Sequence, residues 1–312
     1  MATDAIIGVP VPAQCGEQHP RATHLRTAVR DYWLLTKPEI NFLIAIATFA
    51  GFYVGLPTGS RQFPFLLLIN TLLGTLLVAS GTGTLNQYLE RRFDAQMRRT
   101  ARRALASGRM QPSIGLWFGI ALSVAGAAYL AVATHALASL LAVATLVSYL
   151  FLYTPLKRKT PFCTLVGAVS GAMPPLVGAA AASGRLSSGA WLLYLILFLW
   201  QFPHFMSIAW MYRDDYNRAG FLVLPSGRSE NLFVTVQSIV PLATLVPASL
   251  LPALLSQANL LYIGGALFLS LSFFYYGTEF AHRRSSVATR RLLMTSILYL
   301  PLLFVLIVVF RH

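Results

Sequence analysis

The amino-acid sequence predicts an all-α fold: a polytopic membrane helical bundle with about nine transmembrane helices. Of the 312 residues, 56% are hydrophobic and only 11% are charged, whereas ordinary soluble domains carry roughly 25% charged residues. Nine apolar runs are long enough to cross a bilayer, which takes about 20 residues in a helix. The Lys and Arg residues are concentrated in alternate loops between these runs. These observations exclude a soluble domain with a large core.

The nine runs follow one another closely, and each is bounded by polar, charged or Pro-containing loops. In chain order they cover approximately residues 38–56, 64–85, 113–133, 136–155, 162–182, 189–211, 232–254, 259–279 and 292–310. The first thirty residues lack the basic start and short apolar core of a secretory signal. We therefore predict a flexible cytoplasmic N-terminal tail over residues 1–30 and one transmembrane domain over residues 31–312.

The distribution of positive charge predicts the orientation of the chain. The 24 Lys and Arg residues outnumber the 10 Asp and Glu residues, and all but Arg61, Arg185 and Arg311 fall on one predicted side. By the positive-inside rule this side is cytoplasmic, together with the N-terminus, and the C-terminus lies outside. We expect the basic excess to contact anionic membrane lipid. Because no basic domain stands apart from the membrane, we expect no nucleic-acid partner.

A row of oxygen-bearing side chains follows the second apolar run. Asn86, Glu90 and Asp94 are spaced four residues apart, so on a helix they fall within about 80° of one another and about 6 Å apart. Such a row suits a hard cation, for which Mg²⁺ is the expected ion. Arg98 and Arg102 would extend the row by two further turns, where guanidinium groups suit phosphate.

A second acidic pair, Asp214 and Asp215, follows the sixth run on the same predicted side. Two acidic segments on facing helices could hold one or two Mg²⁺ ions that neutralise a departing diphosphate. The alternative is that these carboxylates pair with neighbouring arginines at a cytoplasmic helix end. The residues alone leave the two interpretations about equally supported.

Other polar groups near these segments also have two interpretations. Lys37, Lys157 and Arg158 border apolar runs, where they either stop a membrane span or bind a phosphate or carboxylate. His204 lies within the sixth run, and on a continuous helix it would share a face with Asp215, about 16 Å away. An ionisable group in a span is a functional hypothesis by default, but a neighbouring helix could equally satisfy this histidine.

These segments resemble the UbiA superfamily of intramembrane prenyltransferases, and most closely the branch that farnesylates protoheme IX. The resemblance runs from about residue 31 to the C-terminus. It rests on Leu35-Thr36-Lys37-Pro38, on Asn86 to Arg103, on Tyr153-Thr154-Pro155-Leu156-Lys157-Arg158, on Gly171-Ala172-Met173-Pro174-Pro175, on Trp200-Gln201-Phe202-Pro203-His204-Phe205, and on Tyr212-Arg213-Asp214-Asp215-Tyr216 with Leu224-Pro225. The chain departs from the family pattern at Ala104, Ala106 and Cys163.

The resemblance implies a UbiA-like fold and a farnesyl transfer to the vinyl group of heme b, which gives heme O and diphosphate. It implies a bacterial inner-membrane location, farnesyl diphosphate and heme b as substrates, and contact with a downstream heme A synthase or oxidase assembly proteins. The implied site residues form three groups. They are Asn86, Glu90, Asp94, Asp214 and Asp215 as catalytic residues, of which all but Asp214 are Mg²⁺ ligands; Lys37, Arg98, Arg102, Arg103, Lys157 and Arg158 for diphosphate; and Trp200, Gln201 and His204 for heme.

Three rival functions remain open at this point. The first is a prenyltransferase that acts on an aromatic acid or quinone precursor, which the segment from Trp200 to Phe205 disfavours. The second is a transporter, whose carboxylates should lie near the bilayer midplane at broken helices. The third is a purely structural role in oxidase assembly.

Overall fold

A computed structural model describes residues 21–57, 62–225, 227–255 and 260–310 of the chain. Within these ranges the secondary structure is helical and includes no strand. Nine helical segments in the described residues are long and apolar enough to cross a membrane, and they indicate a multi-pass membrane protein. They confirm the predicted all-α class and the number of spans. Arg61, Arg311 and the first twenty residues lie outside the described ranges.

The helices are numbered in chain order. The helix α1 (Arg21–Leu35) precedes the first span. Four spans are single helices: α2 (Pro38–Gly55), α3 (Phe65–Asp94), α4 (Pro112–Ala133) and, at the centre of the chain, α9 (Ser188–Met211). After the short α10 (Arg213–Arg218), three long helices complete the chain: α11 (Arg228–Leu255), α12 (Leu260–Arg283) and α13 (Ser286–Val309). Because α1 begins at Arg21, part of the expected tail is helical, and the boundary at residue 30 stays a prediction.

The fourth and fifth spans are each built from more than one helical piece. The fourth comprises α5 (Ala136–Val147), a π-helical turn (Ser148–Tyr153) and the single turn α6 (Thr154–Leu156). The fifth comprises α7 (Cys163–Gly171) and α8 (Pro174–Ser183). The pieces α6 and α8 each have a proline in their first turn, where it removes a backbone donor and clashes with a regular preceding turn.

Two spans form the centre of the bundle. About two thirds of the residues in their most apolar stretch are buried, 67% in the fifth span and 61% in α9, against at most 39% in any other span of the described chain. The helix α9 packs against α2, α7, α8, α11 and α13. Close packing of α2 on α8 depends on Gly51 and Gly178, because a Cβ at either position would overlap the facing backbone. The outer helices expose many large apolar side chains, as a lipid-facing surface requires.

The charged loops meet at one end of the bundle. Asp31 in α1 accepts two hydrogen bonds from Arg109, which precedes α4, at 2.7 and 3.1 Å. The indole of Trp210 at the end of α9 donates to the carbonyl of Arg284, between α12 and α13, at 3.0 Å. These contacts, together with those described below, place the loops that were predicted to be cytoplasmic on a common face.

Candidate active site

The last turns of α3 carry the row of polar side chains that the sequence predicts. Asn86, Glu90 and Asp94 all lie within this helix and are only 2%, 5% and 1% exposed. Burial of three such side chains next to one another is costly unless each has a partner. The row therefore needs nearby polar or charged partners, and these partners determine what it can bind.

Each member of the row is paired with a cation from a different part of the chain. The Lys37 ammonium donates to Oδ1 of Asn86 at 2.9 Å, and the Lys157 ammonium donates to Oε1 of Glu90 at 2.8 Å. The Arg103 guanidinium donates to Oδ2 of Asp94, also at 2.8 Å. We call these six residues the charged cluster. It brings together α3, the start of α2, the end of α6 and the loop after α3.

Local backbone geometry positions two of the cations. Lys37 occupies the N-cap of α2 in the left-handed region, with φ of 52°, and this turns its side chain towards α3. Lys157 follows directly after the single turn α6. The backbone N–H of Leu222 donates to the carbonyl of Lys157 at 2.7 Å, which ties the loop after α10 to the same corner.

The arginines after α3 do not continue the row, and this part of the sequence prediction is wrong. The helix ends at Asp94, and the following residues form turns. Thr100 donates its hydroxyl to the carbonyl of Asp94 at 2.9 Å, so the chain folds back over the helix end. The fold-back brings Arg103 onto Asp94, while Arg98 and Arg102 stay exposed.

The second acidic segment meets the loop after α3 through Asp215. Its Oδ2 accepts from the backbone N–H of Arg99 at 3.2 Å, and its Oδ1 lies 3.3 Å from the Arg218 guanidinium. Burial opposes the charged form, but hydrogen bonds from the backbone of Arg99 and Arg98 hold the pKa of Asp215 below its ordinary value. Asp214 lies apart from this contact, with its side chain 88% exposed.

Burial and neighbouring charges shift the pKa values of two lysines in the charged cluster in opposite directions. Burial, together with the positive charges of Arg103 and Lys157, lowers the pKa of Lys37 to about 7. Burial also opposes the charge on Lys157, but the Glu90 carboxylate keeps the pKa of Lys157 well above its ordinary value. Added negative charge would therefore be stabilised near Lys37.

Aromatic rings surround the cations at this corner. The Lys157 ammonium lies 4.6 Å from the ring centroid of Tyr153 and 5.8 Å from that of Phe221. The Arg158 guanidinium lies 4.4 Å from the ring centroid of Phe93, and the Phe93 and Phe221 rings are 5.7 Å apart. The rings keep water from one side of the cluster and add cation–π attraction.

The expected heme-binding residues lie on two different sides of α9. Nδ1 of His204 lies 2.8 Å from the hydroxyl of Ser296, and its ring stacks on Trp200 at 4.6 Å. The Trp200 indole donates to the Ser296 carbonyl at 2.8 Å. Gln201 faces α7 instead and donates to the carbonyl of Ala168 at 3.3 Å.

The expected stripe from His204 to Asp215 does not form. The helix α9 ends at Met211, and Tyr212 adopts φ of −113° and ψ of 22° before α10 begins. The break changes the register, so the one-face argument from a continuous helix is wrong. The histidine has the neighbouring-helix partner that the alternative interpretation expected.

Four contact residues escaped the reasoning from sequence. Thr154 accepts from the Asn86 amide, Thr100 and Arg218 fix the two acidic segments, and the guanidinium of Arg99 donates to the Tyr216 hydroxyl at 3.3 Å. Thr154 and Arg218 lie inside or beside motifs that the sequence singles out. The contacts of Thr154 with Asn86 and of Arg99 with Tyr216 join segments 68 and 117 residues apart, which no local spacing indicates. Thr100 and Arg218 instead contact acidic residues six and three residues away.

The donor set suits a cation that brings its own ligands. Within the described ranges, no group of three or more His, Cys, Asp or Glu side chains lies close enough together to hold a metal ion. Mg²⁺ does not need such a group, because it usually takes one or two carboxylates, several waters and substrate phosphate oxygens. Buried carboxylate and amide oxygens flanked by Lys and Arg therefore fit a Mg²⁺–phosphate pair.

Comparison with known proteins gives a consistent result. The model of the UbiA prenyltransferase family matches residues 44–306. The chain is 48% identical to the protoheme IX farnesyltransferase of Solibacter usitatus over 289 residues, which cover 91% of this chain and 99% of the relative.

Solved structures share the fold at much lower identity. A structure from a study of digeranylgeranylglyceryl phosphate synthase superposes with a TM-score of 0.71 at 15% identity, over 90% of this chain and 97% of that one. A UbiA homolog from Archaeoglobus fulgidus bound to GPP and Mg²⁺ superposes with a TM-score of 0.61 at 13% identity, over 89% and 99% of the two chains.

Proposed function

This chain belongs to the UbiA prenyltransferase family, and we propose that it transfers a farnesyl group from farnesyl diphosphate to the vinyl side chain of heme b. The products are heme O and diphosphate, and the reaction serves the biogenesis of heme–copper oxidases. The high identity to a named protoheme IX farnesyltransferase along nearly its whole length supports both substrates. The family resemblance that the sequence motifs predict is thereby confirmed.

One observation carries the proposal for the diphosphate half of the reaction. The charged cluster places three buried oxygen ligands in a row on α3, each beside a cation. Asn86, Glu90, Asp94 and Asp215 would hold Mg²⁺, and Lys37, Arg103 and Lys157 would bind the diphosphate oxygens. When bound, the metal would neutralise the charge that develops on the leaving diphosphate.

The remaining predicted arginines belong to the rim of this proposed site. Arg98, Arg102 and Arg158 are exposed, so we propose that they attract the diphosphate and contact it from the solvent side. Attraction of this kind raises the rate of association more than the affinity. The side chain of Asp214 is 88% exposed, so solvent screens its charge and we expect it to contribute little.

The aromatic residues beside the cations would protect the reacting carbon. After the diphosphate leaves, an allylic cation must survive until the vinyl group of heme attacks it. The centroid of the Tyr153 ring lies 4.6 Å from the Lys157 ammonium. Aromatic faces attract positive charge in this way, so this ring could also stabilise an allylic cation. Water then completes the hydroxyethylfarnesyl group of the product.

Asp215→Asn is expected to lower prenyl transfer by about 100-fold, because the neutral amide loses the charge that faces the metal–diphosphate pair. The neighbouring Asp214→Asn removes the same charge from an exposed position and should stay within about twofold of wild type. The measurement is the initial rate of heme prenylation by purified protein. Equal rates for the two variants would contradict the assignment of Asp215.

His204→Ala tests the proposed acceptor side. We propose that His204 and Trp200 contact the porphyrin, and we expect roughly tenfold weaker heme binding in the variant, or about 1.4 kcal/mol. Titration of heme followed by its visible absorption measures this affinity. His135→Ala, in the loop between α4 and α5, is the control. Normal heme affinity and turnover in His204→Ala would remove His204 from the site.

The acceptor itself distinguishes the proposal from its nearest rival. Purified protein with farnesyl diphosphate and Mg²⁺ should prenylate heme b and leave an aromatic acid such as a hydroxybenzoate unmodified when both are present. Prenylation of the aromatic acid alone would show that the acceptor is a quinone precursor and not heme b. A transporter is disfavoured because Asp94 is the last residue of its helix, whereas transport sites lie near the midplane.

The proposed function and the distribution of positive charge together suggest where the protein lies in the cell. We propose a bacterial inner-membrane enzyme with its N-terminus and the charged cluster in the cytoplasm and its C-terminus outside, as the positive-inside rule predicts. Membrane lipid would surround the exposed apolar helices. Heme O would pass to a downstream heme A synthase or to oxidase assembly proteins.

A further inference from the structure

The π-helical turn at the end of the fourth span places Thr154 against α3. This turn covers Ser148–Tyr153, and the backbone N–H of Thr154 donates to the carbonyl of Tyr149, five residues earlier. Pro155 comes next, in the first turn of α6, and because it has no N–H the backbone at this point lacks one hydrogen-bond donor. Such single-turn π-bulges occur frequently at functional sites.

The hydroxyl of Thr154 has one hydrogen, and a backbone carbonyl accepts it. Oγ1 of Thr154 donates to the carbonyl of Tyr149 at 2.9 Å. A hydroxyl offers one donor and two acceptor positions, so Oγ1 can then only accept from other groups. Nδ2 of Asn86 donates to it at 3.2 Å.

This arrangement fixes which way the Asn86 amide points. With Nδ2 on Thr154, Oδ1 faces the opposite direction, where the Lys37 ammonium donates to it at 2.9 Å. A flipped amide would set Nδ2 against the ammonium, donor against donor. It would also set Oδ1 against the Thr154 oxygen, whose hydrogen is already used. Both ends of the amide therefore favour one orientation.

We propose that Thr154 is a positioning residue that holds Oδ1 of Asn86 towards the metal and diphosphate. Only the oxygen of an asparagine can bind a hard cation, so a flipped amide would remove one ligand from the row. The inference rests on the proposed function of the charged cluster. Thr154 itself touches neither substrate.

Burial makes the effect of Thr154 measurable. Thr154 is 8% exposed and Asn86 is 2% exposed, so little water can replace a lost contact. Thr154→Val keeps the shape of the side chain but removes the acceptor. A hydrogen bond of this kind contributes about 1 kcal/mol, which predicts roughly fivefold weaker metal binding.

The experiment measures Mn²⁺ binding by electron paramagnetic resonance, in the presence of inorganic pyrophosphate and without heme or turnover. Thr154→Val should bind Mn²⁺ about fivefold more weakly than wild type, and Thr154→Ser, which retains the hydroxyl, should stay within about twofold. The control is Thr289→Val. Thr289 is also buried, and its hydroxyl donates to the carbonyl of Ser285 at the start of α13.

Combining Thr154→Val with Asn86→Asp separates a positioning role of Thr154 from a general structural role. A carboxylate has two equivalent oxygens, so Asn86→Asp needs no orientation, and adding Thr154→Val to it should cost less than about twofold. In this double-mutant cycle, an interaction between Thr154 and Asn86 appears as non-additive effects of the two substitutions on Mn²⁺ affinity.

Two results would overturn the assignment of Thr154. One is wild-type Mn²⁺ affinity in Thr154→Val, and the other is an equal loss from Thr154→Val in the wild-type and Asn86→Asp backgrounds. If wild type itself binds no Mn²⁺ with pyrophosphate, the proposed metal–diphosphate site fails and this inference fails with it.

Discussion

Replacing Asp94 with Asn is expected to reduce farnesyl transfer by about 10³-fold, the largest effect of any single substitution in the charged cluster. The side chain of Asp94 is 2% exposed and faces Arg103 at 2.8 Å. Loss of one preorganised charge in a water-poor site typically costs about 10²–10³ in turnover, and here the lost group also serves as a proposed metal ligand. The measurement is the rate of heme prenylation at saturating substrates.

The matched control for Asp94 is Asp31→Asn. Asp31 is also a buried aspartate paired with an arginine, because Arg109 contacts both of its oxygens, but neither residue belongs to the charged cluster. Its loss should lower the melting temperature while turnover at room temperature remains. An equal loss of turnover in both variants would mean that Asp94 acts through stability alone.

Replacing Lys157 with Met is expected to have the largest effect on stability. The ammonium and the Glu90 carboxylate are 12% and 7% exposed and 2.8 Å apart, so the substitution leaves a buried carboxylate without its partner. Breaking a buried pair on one side costs about 3–5 kcal/mol. Thermal unfolding in detergent should show a clearly lower melting temperature, and turnover should fall as well.

A double substitution separates the two roles of Lys157. In Lys157→Met with Glu90→Gln the unpaired charge is gone, so most of the stability should return, whereas turnover should stay at least about 100-fold below wild type. Lys159→Met, which replaces an exposed lysine two residues later, serves as the control. Recovery of turnover together with stability would show that this pair has only a structural role.

The sequence was sufficient for the fold because composition and periodicity determine membrane spans directly. Nine apolar runs became nine spans of the described chain, and the row from Asn86 to Asp94 lies on one helix as its spacing predicts. These features depend on residues close together in the chain. Lipid solvent leaves helices as nearly the only way to satisfy the backbone.

The predictions that were wrong involve places where a helix ends. Spacing alone could not show that α3 stops at Asp94 and folds back through Thr100, which puts Arg103 rather than Arg98 beside the row. It also could not show the break at Tyr212, which separates His204 from Asp215. The periodicity of side chains shows which face of a helix a residue occupies, and it carries no information about where the helix ends.

The most direct test of the proposed function is the mass of the pigment formed in membranes that contain this protein. With heme b, farnesyl diphosphate and Mg²⁺ added, we expect a new pigment whose mass equals heme b plus one farnesyl group and one water-derived hydroxyl. Removal of Mg²⁺ with a chelator should abolish the product, and re-addition should restore it. Unmodified heme b under all conditions, or the same yield with the metal removed, would contradict the proposed metal-dependent farnesyl transfer.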